Sequence, residues 1–275
     1  MASREVDVEI HGDVPARTAG AIADLIAEAY RRLASPQRAA LEVRLVDTRE
    51  RMAALAAAEK ARHGIATVGD EAFACAHDAF EDRPRITVCV EALGPLQPPA
   101  IAALRHEVGH AVLHGRREFY QVRADAALRR AGGLRGLNDP ALLQLLFFVA
   151  VAVKDWEVSR LLLQHGWTDD VRALAWELLE PSEEDRMGWR LAEASGGLRL
   201  LWAGSQLKPL LHAAPLRESA DASEVEVRAA AMVHYLPAPA RSALVTLAWR
   251  IAGELGEDTP ANIACAAALL LGSDL

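Results

Sequence analysis

The stretch Leu104-Arg105-His106-Glu107-Val108-Gly109-His110-Ala111-Val112-Leu113-His114-Gly115 decides how this chain is read. Residues four apart on an α-helix lie one above the other, so His106 and His110 face the same way and can hold one zinc ion by their imidazoles. Glu107 lies about 100° round the helix, placed to act on a zinc-activated water without being a ligand. The small and apolar neighbours Ala103, Val108, Gly109, Ala111 and Val112 predict a helix that is partly buried. A buried His-Glu-His trio without a metal is costly, which weighs against a surface helix that merely carries two histidines.

A catalytic zinc needs a third protein ligand and one open position. His114 is again four residues on, but three ligands stacked on one straight helix span about 12 Å, too far for one ion. His114 therefore reads as a helix-end histidine that meets the last carbonyls or supports a ligand. The better source is a long helix predicted over 139–165, which contains Lys154-Asp155-Trp156-Glu157-Val158-Ser159-Arg160. Asp155 and Glu157 sit about 200° apart on it, so only one can face a given site. Asp155 shares a stripe with Phe148, Val151, Ala152, Val158, Ser159 and Leu162, and a carboxylate on such a stripe needs a partner. Glu157 shares its face with Lys154, Arg160, Leu161 and Gln164, a mostly solvated one. Asp155 is the first choice for the third ligand and Glu157 the reserve. A buried ion pair is the competing use of Asp155.

Upstream of the motif, strands and helices alternate. Val6 to Ile10 interleaves apolar and acidic residues and predicts a strand. Pro15 opens a helix with Ile22, Leu25, Ile26 and Leu33 at helical spacing. Leu41 to Val46 predicts a second strand, and Arg51 to Arg62 a second helix ending near Gly64. Phe73 to Phe80 and Arg85 to Val90 predict two more strands, and the motif helix runs from about Pro99 to His114. Beyond Gly115 only helices are predicted, at 118–131, 139–165, 168–180, 183–194, 198–213, 222–236, 239–254 and 259–271. The fold class expected is α+β: a small mixed sheet with the motif helix in residues 1–165, then an all-helical domain in 166–275.

Composition sets the remaining bounds. The chain has 275 residues, of which 52% are apolar and 25% charged, as in an ordinary globular protein. The net charge of −8 disfavours a nucleic-acid partner. Cys75, Cys89 and Cys265 form neither a disulfide framework nor a thiolate zinc knuckle, and read as reduced thiols in a cytoplasmic protein. Met1 to Ile10 carries Arg4, Glu5, Asp7 and Glu9 and so has no apolar signal core. The apolar run Ala141 to Val153 is too short to span a bilayer, so no membrane partner is expected. Ala261 to Leu271 offers a surface for a homodimer as readily as a core.

The segment LRHEVGHAVLHG resembles the active-site helix of gluzincin-type metallopeptidases, in particular of ImmA/IrrE-type and minimal soluble gluzincin catalytic domains. The resemblance covers about residues 5–165 and implies a zincin-like N-terminal half. It implies one zinc per chain and hydrolysis of peptide bonds in peptide or protein substrates, with Glu107 as general base. In those families the third ligand comes from a later helix, usually a glutamate. The five residues from Asp155 to Ser159 match that pattern with Asp155 at the ligand position, aspartate replacing glutamate. The resemblance also implies a substrate strand added at the sheet edge, here Phe73 to Phe80. Tyr120, His234 and Tyr235 are candidates to stabilise an oxyanion. The alternative from a different class is a zincin-fold binding or regulatory protein with little or no turnover.

Overall fold

The computed structural model describes residues 6–33, 40–64 and 74–275. They form two compact units. One comprises the described residues up to Gln121 together with Gln164–Asp170; the other comprises Val122–Leu163 and Val171–Leu275.

The first unit is built on four strands, β1 (Val6–His11), β2 (Leu41–Val46), β3 (Cys75–Asp78) and β4 (Arg85–Cys89), in the order β1-β2-β4-β3. β1, β2 and β4 run parallel, and β3 joins β4 antiparallel as an edge strand. The expected strand over Phe73 to Phe80 is therefore shorter, and Phe73 lies outside the described residues, as do Arg4 and Glu5.

Strand register sorts the side chains into two faces, because successive residues point to opposite sides. Val8, Val43, Ile86 and His77 line up across the sheet, and so do Ile10, Leu45, Val88 and Cys75. Leu41, Val43, Leu45, Ile86 and Val88 on this face are fully buried, whereas Val8 and Ile10 of the outer strand are exposed. The opposite face carries charges of both signs. Arg44 pairs with Glu9 and Glu42, Arg85 pairs with Glu42 at 2.8 Å, and Asp78 lies 3.6 Å from Arg85. Cross-strand pairs of opposite charge support a sheet in the way that helix i,i+4 pairs support a helix.

The helices of this unit are α1 (Ala16–Leu33), α2 (Arg49–His63), the short α3 (Val90–Leu93) and α4 (Pro98–Leu113). α1 contributes Ile22, Ile26, Ala29 and Tyr30 to the core and packs against α4. Burying each large apolar side chain here contributes about 1.5–3 kcal/mol. α2 buries none of its residues. It is tied to the charged face by Glu59, which accepts from Arg44 at 3.0 Å. It starts at Arg49, capped by Thr48 and ahead of the expected Arg51, and Gly64, at φ 63°, closes the end in the left-handed conformation where that end was expected. The returning segment Gln164–Asp170 is clasped by two arginines. Arg32 donates to the His165 carbonyl at 2.6 Å, Arg105 bonds Asp170 at 2.7 Å, and both guanidinium groups lie over the Trp167 ring.

The second unit is helical: α5 (Ala126–Leu134), α6 (Asp139–Gln164), α7 (Thr168–Leu178), α8 (Glu183–Ala192), α9 (Gly196–Ala213), α10 (Ala222–Met232), α11 (Ala238–Glu254) and α12 (Thr259–Leu271). The first residues of α7 and the last of α6 belong to the segment that returns to the first unit. α6 is the core helix, with Leu142, Leu145, Leu146, Val149, Val153, Val158 and Leu162 buried. α12 buries Ile263, Ala266, Ala267, Leu270 and Leu271.

Two expectations change. The helix predicted over 118–131 is a 3-10 turn, Arg117–Tyr120, followed by a link and then α5. Asp125 is the reason: its side chain accepts from the Leu128 N–H at 2.8 Å and starts a new helix there. The division at residue 165 also moves. Residues 139–163 lie in the helical unit, where α6 is buried along most of its length.

Among the described residues no single helix is long and apolar enough to cross a membrane. α5 and α6 reach that length and composition only together, with a bend of 109° between them.

Candidate metal centre

α4 delivers the motif. Pro98 and Pro99 open it, where a missing N–H costs nothing. Ala102, Leu104 and Val108 are fully buried, so the helix is fixed by the core on one side and presents its histidines from the interior. His106 and His110 are themselves buried. Their Nε2 atoms lie 3.0 Å apart and their rings stand at 84° to each other. Two nitrogens at ordinary zinc distances and tetrahedral angles are about 3.3 Å apart, so the pair fits one ion with a small adjustment.

His114 is the last link of the same column. It is fully buried, caps the C-terminus of α4 through its N–H to the His110 carbonyl, and sets its Nδ1 3.2 Å from Nδ1 of His110. Were a metal to take the Nε2 lone pairs of His106 and His110, the proton of His110 would lie on Nδ1 and His114 would accept it. The His114 ring in turn meets the edge of Phe119, centroids 5.4 Å apart.

Glu107 is partly exposed and bonds a residue that the motif does not reveal. His77 of β3 lies with Nδ1 2.6 Å from Glu107 Oε2. It occupies an inward position of the edge strand, in phase with Cys75, and its ring stacks on that of His110. The signal was a histidine on the apolar phase of a strand, but alternation names a face and no partner.

Tyr120 lies beside His77, ring centroids 6.0 Å apart, and edge-on to Phe80. Burial first, and then the carboxylates of Asp78 and Glu107, push its hydroxyl well above the usual phenol range. It therefore stays protonated and able to donate. Burial likewise raises the Cys75 thiol, with Glu107 and Cys89 adding to it.

Asp155 and Glu157 belong to the second unit and have different surroundings. Asp155 is buried. A carboxylate oxygen of Asp155 and a ring nitrogen of His212 lie within 4.8 Å of each other. His212 is buried on α9, and its Nδ1 is 3.2 Å from the hydroxyl of the fully buried Ser159. His212 was not singled out in the sequence, where it is one histidine at the end of an apolar helix. Glu157 accepts from Thr259 Oγ1 at 2.9 Å and from Asn262 Nδ2 at 2.7 Å, so both its oxygens are engaged by α12. Its expected solvated face is also partly wrong, since Lys154 is buried. His234 is exposed and bonds the Ala231 carbonyl, while Tyr235 packs on Trp202. Both lie in the second unit.

Another group of possible ligands, Glu59, His63 and Glu81, lies in the first unit. Arg44 and Arg85 pair with Glu59, and Arg62 with Glu81, so these acids already have their counter-charges. All three cysteines are free thiols.

Comparison with protein-family models, with curated proteins and with solved structures finds no match to this chain.

Proposed function

We propose that this chain is a zinc-dependent endopeptidase of zincin-like fold, with His106 and His110 as ligands and Glu107 as general base. The observation that carries the reading is the approach of the two Nε2 atoms to 3.0 Å on a buried helix whose next residue is a held glutamate. The element order β1-α1-β2-α2-β3-β4, with the one-turn α3 before α4, agrees with the resemblance seen in the sequence and supports the zincin-like assignment.

When bound, the zinc ion supplies the Lewis acidity that makes water nucleophilic near neutral pH. Glu107 takes the proton of the attacking water and returns it to the leaving amine nitrogen. His114 keeps His110 in the tautomer that leaves Nε2 as a lone pair. Tyr120, protonated and near Glu107, is the first-unit candidate to donate to the developing oxyanion. A third ligand is proposed from the sequence pattern, Asp155 ahead of Glu157. The hydrogen bonds that engage both Glu157 oxygens support that order. Among the described residues β3 pairs with β4 alone, which supports docking of an extended peptide along β3.

The test combines metal analysis with hydrolysis of a broad peptide library. Protein purified without chelator is expected to carry one zinc per chain, lost in His106→Ala. Glu107→Gln is expected to keep the zinc and lose hydrolysis by about 10²- to 10⁴-fold. A metal-free preparation that takes up no added zinc sinks the proposal. Zinc with no Glu107-dependent cleavage favours the binding or regulatory alternative.

A further inference from the structure

We propose that His77 is a positioning residue for Glu107, holding Oε2 through an Nδ1–H bond so that Oε1 is the oxygen that takes the proton from water. The inference rests on the reading of Glu107 as general base, and adds a residue from a different element to it.

The geometry restricts what His77 can do. A general base must accept, so in this proposal the proton of the 2.6 Å contact belongs to Nδ1 of His77. The imidazole lies flat on His110, centroids 3.8 Å apart and planes 9° from parallel. A nitrogen lone pair lies in the plane of its ring. Two stacked rings therefore cannot both aim a nitrogen at one ion, and His77 is not a further ligand beside His110. The stack does fix the plane in which Nδ1–H can point. His77 is anchored in turn by strand pairing, opposite Ile86 in the β3–β4 register.

A carboxylate at a helix surface turns freely about its last torsion. Tying one oxygen removes that freedom, and the second oxygen is then presented in a single direction. A base held within about 0.5 Å of its working position avoids the loss that misplacement brings.

Two variants separate donor from packing. His77→Phe keeps a flat ring against His110 and has no donor. His77→Asn loses the ring but places an amide nitrogen where Nδ1 was. With zinc content unchanged, kcat of His77→Phe is expected to fall about 10- to 100-fold at nearly constant KM, and His77→Asn to recover most of it. Equal losses in both variants, or no loss in His77→Phe, overturn the assignment. A readout independent of turnover comes from ¹⁵N-histidine spectra of the metal-free protein. His77 is expected as the Nδ1–H tautomer, and as the Nε2–H form once Glu107→Ala removes the acceptor. An Nε2–H tautomer in the unaltered protein overturns the bond itself. If the tautomer is as expected but the unaltered protein cleaves nothing, the failure belongs to the peptidase reading and to His77's part in turnover, not to the bond.

Discussion

His110 is gripped from two sides: His77 stacks on its ring at 3.8 Å, and His114 faces its Nδ1 at 3.2 Å. A side chain so constrained would lose little freedom on taking up the proposed metal, and the expected cost of loosening it can be stated for each support.

Replacing His114 by Ala removes the Nδ1 partner of His110 and leaves a gap in the core. Zinc affinity is expected to weaken about 10- to 100-fold, as for other residues that orient a ligand. Competition titration with a chelator of known affinity measures this. Unchanged affinity would mean that His114 only fills space.

Asp155 and Glu157 are expected to part company when mutated. Glu157→Gln puts an amide where Thr259 and Asn262 donate, and should cost about 1–3 kcal/mol in urea unfolding with zinc content intact. Asp155→Asn is expected to lower zinc content. The reverse pattern would make Glu157 the ligand.

Gly115 follows the motif helix where there is no room for a side chain. A methyl group there would come within 2.5 Å of the Ala111 carbonyl oxygen and 3.2 Å of Pro84. Gly115→Ala is expected to cost about 1–3 kcal/mol of stability. A substitution within 0.5 kcal/mol of the unaltered protein would show that the turn yields.

Tyr120 and Tyr235 are both raised, chiefly by burial, and Tyr235 further by Asp185. A group whose folded value lies above its unfolded one contributes stability that is complete below the unfolded value, here about 10, and drains away as pH rises through the folded value. Phenolate absorbance is therefore expected to lag in the native protein, with these two tyrosines ionising only well above pH 10 or on alkaline unfolding. Normal titration of either near pH 10 would contradict its burial.

Much of this was legible because it is local. Proline at the start of α4, Gly64 after α2 and the alternation in β2 each act within a few residues, and those boundaries fall where the sequence put them. The spacing of His106, Glu107 and His110 is local too. The bond from His77 to Glu107 spans 30 residues and that from Ser159 to His212 spans 53, so both depend on tertiary packing that no periodicity encodes. The expectation that α6 goes with the motif half, in residues 1–165, parts from the observed units for a related reason: a helix that is apolar nearly all round does not say which neighbours it wants.

The series His106, His110 and His114 is joined nitrogen to nitrogen, so its polarity is shared. One neutral imidazole between two others donates at one end and accepts at the other, and reversing one bond reverses the next. The state of the His106–His110 pair is thereby written into the ring of His114, which lies two helical turns away and is sealed from solvent. An isotope label on that one side chain would report which way the series is polarised, legible without any substrate.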